Sequence, residues 1–249
     1  MTSSLKNRLE LVGVKKTFED TFAVSDVSLV LRESEFVSII GPSGCGKSTL
    51  FNMISGLIVE DEGEIRIDGA PVKARKGLVS YMYQKDLLLS WLKIIDNVAL
   101  PLRVKGVSKK EARSEVADLF KTFGLEGFEH KYPHQLSGGM RQRAALMRTY
   151  VYSRDIMLLD EPFGGLDALT KAKMQDWLLG VNDELKASIL FITHDIEEAI
   201  YLSDRIYLMS DRPSTIKEEI CVDLPRPRNR DMMVSETFTQ LKKKLLHSF

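Results

Sequence analysis

The chain has 249 residues, 44% of them hydrophobic, enough for one large domain or for a core carrying an inserted subdomain. Lysine plus arginine and aspartate plus glutamate number 35 each, so a formal net charge of +0 excludes bulk attraction to nucleic acid or to an anionic membrane. Cys45 and Cys221 are too few for a disulfide framework and suit a reducing cytosol, and no uncharged apolar run approaches the ~20 residues a bilayer crossing needs. The N-terminus carries Lys6, Arg8 and Glu10 and lacks the apolar stretch of a secretory leader, so any membrane association is expected to be peripheral. From Leu9 to Leu31, short runs of Val, Phe, Thr and Leu predict a small antiparallel sheet. Phe36–Ile40 reads as a buried parallel strand, and Leu50–Ile54 continues as a helix would. The alternating stretch Gly63–Gly69 predicts a half-exposed strand, after which Leu78–Met82 returns to the core. Beyond Gln84 the pattern turns helical: Ser108 and Glu111 form a capping box, and Ala112, Val116, Leu119, Phe120 and Phe123 follow until Gly124 ends the run. Strands at Ile156–Leu159 and Ile189–Thr193 flank a helix through Leu169, Trp177 and Leu185. This alternation predicts a mostly parallel sheet with ligands at the carboxyl ends of its strands. Past Asp211 the chain becomes polar, and Lys242–Lys244 reads as a solvated helix face.

Between the first buried strand and its helix lies Gly41-Pro42-Ser43-Gly44-Cys45-Gly46-Lys47-Ser48-Thr49, which fits G-x-x-x-x-G-K-[ST]. Its glycines let the backbone wrap an oxyanion, and the amides opening the helix point at it. Lys47 is expected to meet the β and γ phosphates of a nucleotide, and Ser48 to hold Mg²⁺. Asp160 and Glu161 close a later strand at the same end of the sheet. Asp160 is assigned to the metal and Glu161 to orienting an attacking water. His194 and Gln84 also end strands: the histidine is either structural or a γ-phosphate contact, and the amide could meet the magnesium or the water. Ser137-Gly138-Gly139, opening another helix, makes a second anion site. Two half-sites in one chain suggest a symmetric dimer.

Taken together, Gly41–Thr49, Gln84, Leu136-Ser137-Gly138-Gly139-Met140, Ile156–Asp160, Glu161, Gly164–Asp167 and His194 resemble, in order, the motifs of the ATP-binding subunits of ABC transporters. The resemblance covers nearly the whole chain. It implies an α/β fold: a P-loop NTPase (RecA-like) core with an N-terminal antiparallel β subdomain and an inserted helical subdomain. Within a single domain 1–249, the nucleotide-binding core would occupy 1–84 and 153–212, the helical subdomain 85–152 and a C-terminal tail 213–249. Implied cofactors are ATP and Mg²⁺. Glu161, His194 and Gln84 would be catalytic, and Ser48, Gln84 and Asp160 would serve the metal. The loop Gly41–Thr49 with Ser137, Gly138, Gly139 and Asp167 would bind nucleotide across a homodimer. Phe18 falls where an aromatic residue stacks on adenine, with Phe22 as a competitor and an ordinary core or edge phenylalanine as the alternative.

Met140 and Gly165 depart from the commoner residues of these motifs and bear on rate and coupling rather than on phosphate binding. Cys45 is expected to be a small filler. The segments Tyr83–Leu92, Asp96–Leu102, Tyr132–Gln135 and Leu224–Arg228 resemble the nitrate, sulfonate, taurine and pyrimidine-precursor importer group. That likeness implies integral membrane permease subunits, an indirect extracytoplasmic solute-binding protein and a place on the cytoplasmic face of the cell membrane. No nucleic-acid partner is expected. The end at Phe249 leads us to expect no long regulatory domain. A soluble ABC ATPase outside transport, an exporter subunit and a non-hydrolysing interaction subunit are the competing readings.

Overall fold

The computed structural model of the chain describes residues 6–19, 21–75 and 77–248, so the ends of the expected core and tail, including Phe249, lie outside it. Strands β1 (Asn7–Phe18) and β2 (Thr21–Arg32) form an antiparallel pair. The buried β3 (Phe36–Ile40) leads through a tight loop into α1 (Lys47–Ile54). A small excursion follows through β4 (Glu62–Ile67) and β5 (Ala70–Pro71), and β6 (Ser80–Met82) re-enters the core. Helices α2 (Ile94–Val98), α3 (Leu100–Val104), α4 (Lys109–Ala117) and α5 (Leu119–Thr122) come next, then α6 (Gly138–Tyr152). At the start of α4, Ser108 accepts from the Glu111 amide and Glu111 accepts from the Ser108 amide, each at 3.3 Å, so the expected capping box forms. The chain then alternates through β7 (Ile156–Asp160), α7 (Ala168–Leu185), β8 (Ser188–Ile192), α8 (Ile196–Leu202) and β9 (Arg205–Met209). It ends with β10 (Ser214–Cys221) and α9 (Glu236–Ser248).

All strands join one ten-stranded sheet in the order β5-β4-β1-β2-β10-β9-β3-β8-β7-β6. The run from β9 to β6 is parallel and the wing from β5 to β2 is antiparallel. Side-chain alternation splits the interior into two cores. Ile156, Leu158, Leu190 and Ile192 face α1 and the antiparallel wing, burying Leu50, Phe51 and Ile54. Met157, Leu159, Ile189 and Phe191 face the other way, against Ile94, Val98, Val116, Phe120 and the helices α6 to α9. Both faces of β7 and β8 are covered, which is why these strands read as unbroken apolar runs.

The expected N-terminal antiparallel strands form, and β10, pairing with β2 on one side and β9 on the other, makes them continuous with the core. One expectation needs correction: 213–249 is not simply a polar tail. β10 escaped notice because Ser214 and Ile220 are its buried residues, and backbone pairing rather than apolar burial holds it in place. In α9, Phe238 and Leu245 are buried in the main core, while Lys242 pairs with Glu197 and Lys244 with Glu218, so that helix's basic face is partly neutralised.

Candidate functional site

β3 lies between β8 and β9, so the loop after Ile40 emerges at the carboxyl end of the parallel strands. Gly41 is fixed by space: a Cβ there would sit 2.9 Å from the Met209 carbonyl oxygen. Gly46 is fixed twice, by φ of +113° and by the Ala23 carbonyl oxygen, 3.0 Å from where a Cβ would be. No side chain caps α1 and its first turn holds no acid, so the amides at its start are free to receive an anion. Lys47 is buried and its Nζ donates to the carbonyl oxygens of Gly41 and Pro42, at 2.8 Å each. Loop residues Ser43 and Gly44 and helix residues Ser48 and Thr49 line a cavity of about 220 Å³, closed by Glu161, Ile192 and Arg212. Cys45 is buried with its Sγ 3.7 Å from Lys47 Nζ, consistent with a filler beneath the loop.

Asp160 ends β7 and Glu161 follows it, between the ends of β6 and β8. Burial pushes the Asp160 carboxyl above the usual range, while the hydroxyls of Ser48 and Tyr81 pull it back. Tyr81 donates to Asp160 Oδ2 at 3.1 Å, and burial with the neighbouring carboxylate drives its phenol far above the ordinary tyrosine value. Glu161 takes a left-handed backbone conformation, φ +44°, held by its amide donating to the Ile192 carbonyl at 3.0 Å. Gln84 Nε2 donates to Glu161 Oε2 at 3.1 Å, and His194 Nδ1 lies 3.2 Å from Glu161 Oε1. Residues following three strands, β6, β7 and β8, thus meet on one carboxylate. Gly164 lies close by: a Cβ there would stand 3.3 Å from the Glu161 carbonyl oxygen and 3.4 Å from Gln84 Nε2.

Ser137, Gly138, Gly139 and Asp167 take no part in lining this cavity. Ser137 is exposed and caps α6, accepting from the Met140 amide at 3.3 Å. Gly139 is buried where a Cβ would lie 3.2 Å from Thr170 Cγ2, so its smallness lets α6 approach α7. Asp167 caps α7 by accepting from the Thr170 amide at 3.0 Å, and the contacts to Thr170 hold its carboxyl below the usual range. Phe18 ends β1, 42% exposed with Lys16 Nζ 5.5 Å from its ring centroid; Phe22 is 62% exposed. Neither is a core residue, and neither lines the cavity.

Sequence reading passed over Tyr81, Arg212 and a buried network behind His194. Thr193 donates to Glu198, Gln175 donates to the other oxygen of Glu198 at 2.8 Å, and Lys171 reaches Asp195 at 2.8 Å. Burial alone would raise the Asp195 carboxyl, but Lys171 and the α8 amides hold it below the usual range. The available signal was positional for Tyr81, Thr193, Asp195 and Arg212, which lie at or close to a strand end, and for Lys171, soon after Gly164–Asp167; Gln175 and Glu198 carried none.

The donors around the loop suit a triphosphate and a hard divalent cation. The Ser48 hydroxyl lies against the Asp160 carboxylate, both oxygen donors, with the amides and lysine of the loop alongside. Among the described residues no three His, Cys, Asp or Glu side chains gather as a metal cage. Residues 24–164 match the family model described as ABC transporter. The chain belongs to the ABC transporter family. Within it, the chain is an ATP-binding cassette and an ATPase. It is 41% identical over 241 residues to an aliphatic sulfonates import ATP-binding protein of Bacillus cereus, covering 95% of this chain and 94% of the relative. It is 44% identical to a formylaminopyrimidine import ATP-binding protein of Halalkalibacterium halodurans, covering 92% of each. Among solved structures, the dimeric post-hydrolysis cassette MJ0796, bound to ADP and Pi, matches with a TM-score of 0.72 and 32% identity, over 87% of this chain and 100% of that one.

Proposed function

We propose that two copies of this ABC cassette close on two ATP molecules and drive import of a small solute through separate permease subunits. The observation that carries the catalytic part is the convergence of Gln84 and His194 on Glu161 at the mouth of the loop cavity. In this reading the Gly41–Thr49 loop cradles the phosphates and Lys47 turns from the loop carbonyls to the β and γ oxygens. Ser48 and Asp160 would hold Mg²⁺, with Gln84 beside it; the ion would supply charge neutralisation at the β and γ phosphates. Glu161 orients the attacking water and accepts its proton, while His194 holds the carboxylate and meets the γ phosphate. Phe18, exposed at the end of β1, stacks on adenine.

Ser137, Gly138 and Gly139, which do not line the cavity of their own chain, complete the site of the partner copy, with Asp167 at the same interface. The dimeric state of the MJ0796 cassette supports this arrangement. Several charge-assisted hydrogen bonds to phosphate, each worth about 1.5–3 kcal/mol, would hold the closed dimer until hydrolysis. Residues 85–152 act as the arm that meets the permease. A groove of about 320 Å³ between α1 and α6, lined by Leu57, Val79, Tyr83, Pro101 and Arg148 among others, supports that role. Trp91, in the 87–102 segment, is 71% exposed. None of the described helices is long and apolar enough to cross a membrane. In this reading the cassette works at the cytoplasmic face of the cell membrane, held there by its permease.

The importer reading rests on the likeness to the sulfonate and formylaminopyrimidine import proteins, and it makes a sulfonate- or pyrimidine-precursor-like solute the cargo class. The test is to tag the chain in its native cell, solubilise membranes gently and identify stoichiometric partners by mass spectrometry. A multi-span permease with an extracytoplasmic binding protein is expected. A permease without any binding protein would point to export, and soluble partners alone would remove the chain from transport.

A further inference from the structure

Tyr81 faces two parts of the molecule at once. Its ring forms a T-shaped pair with Phe51 at 5.6 Å and stacks on Tyr83 at 4.1 Å, and both tyrosines line the groove between α1 and α6. Its hydroxyl leaves the groove and donates to Asp160 Oδ2. The parallel register explains the reach: Tyr81 pairs with Leu158, two residues before Asp160 and on the same face by strand alternation. A leucine or phenylalanine at this position would fill the same space but could donate nothing. The two ring contacts leave the phenol little freedom, so the hydrogen bond is set before any ligand arrives.

We propose that Tyr81 is a positioning residue that fixes the Asp160 carboxylate from the groove side and so sets how readily the site takes up a divalent cation. This rests on the assignment of Asp160 to the metal. A carboxylate already held in one rotamer gives up less freedom when it meets an ion, and groups that hydrogen-bond to a metal ligand commonly change metal affinity 10–100-fold. Ser48, on α1, approaches the same carboxylate from the loop side. Asp160 is thereby held between the nucleotide loop and the groove wall.

The test uses the intact chain, ADP carrying a ribose-linked fluorophore, and Mg²⁺ titrations alongside a metal-free series in EDTA. Tyr81→Phe keeps the ring and its contacts and removes the hydroxyl. The expected result is unchanged metal-free affinity with the Mg²⁺ concentration for half-maximal effect raised about tenfold. An unchanged Mg²⁺ dependence would overturn the proposal, as would an equal loss with and without metal, which would mark a merely structural role. Asp160→Asn separates the two layers. If it abolishes the Mg²⁺ effect while Tyr81→Phe does not move it, only the positioning role fails; if Asp160→Asn itself keeps the full effect, the metal assignment fails with it.

Discussion

Gly46 shows how narrowly a single position in the loop is specified. Its φ of +113° is one that side chains rarely adopt, and a Cβ would press on the Ala23 carbonyl at 3.0 Å and the Ser214 hydroxyl at 3.3 Å. Backbone strain of this kind costs about 1–3 kcal/mol, and here it falls on the loop amides themselves. Gly46→Ala should therefore weaken nucleotide binding at least about tenfold, measured by fluorescent nucleotide titration, with a smaller loss in melting temperature. Ser137 makes the opposite case, because its hydroxyl caps α6 but contributes nothing to the cavity of its own chain. Ser137→Ala is expected to leave nucleotide binding by the isolated monomer unchanged and to reduce steady-state phosphate release. Loss of the cap adds at most about 1 kcal/mol of destabilisation. Loss of monomer binding would contradict the assignment of Ser137 to the partner's site.

At the scale of elements, the arm 85–152 is pinned by charge as well as by apolar contacts. Arg113 of α4 grips Asp96 of α2 through two of its guanidinium nitrogens, Nε and Nη2, at 2.9 and 2.8 Å. The Arg113 hydrogen bonds hold the Asp96 carboxyl below the usual range despite its partial burial. A depressed carboxyl contributes stability above its unfolded value, near pH 4, and loses it as pH falls through the folded value. Asp96→Asn should lower urea-measured stability by about 1 kcal/mol at pH 7, and the difference between the two chains should shrink as pH falls below about 4. A difference that stayed constant with pH would show that the ion pair is not its source.

The same scale shows what could be read from the chain and what could not. The phosphate loop, the capping box at Ser108 and the strands β3, β7 and β8 announce themselves, because local spacing and full burial leave their mark on consecutive residues. β10 does not, since it is half exposed and owes its place to backbone pairing with β2 and β9, which were written far apart in sequence. The Tyr81–Asp160 and Thr193–Glu198 contacts were equally silent. A hydroxyl meeting a carboxylate across two strands, or across a strand–helix turn, has no periodic signature. Conversely, Leu169 fits the apolar pattern of α7 yet is exposed, at the helix start just after Asp167, where the proposed partner copy would lie.

For the whole molecule, one sheet connects every working part. Its parallel half delivers the loop, Asp160, Glu161 and His194 to one edge. β10 ties the antiparallel wing carrying Phe18 to that half, and α9 packs behind α8. The region bearing Ser137 packs on one face of the parallel strands and α1 on the other, so the two proposed half-sites are joined through the sheet between two apolar cores. Separating binding from turnover tests the central claim most directly. Glu161→Gln should be compared with the natural chain by light scattering on size-exclusion chromatography with Mg²⁺ and ATP, together with phosphate release. The account predicts that the variant binds ATP and accumulates as a dimer, with turnover reduced at least about 100-fold, the usual worth of a general base. Natural rates of phosphate release in Glu161→Gln, or an ATP-loaded variant that stays monomeric, would contradict it.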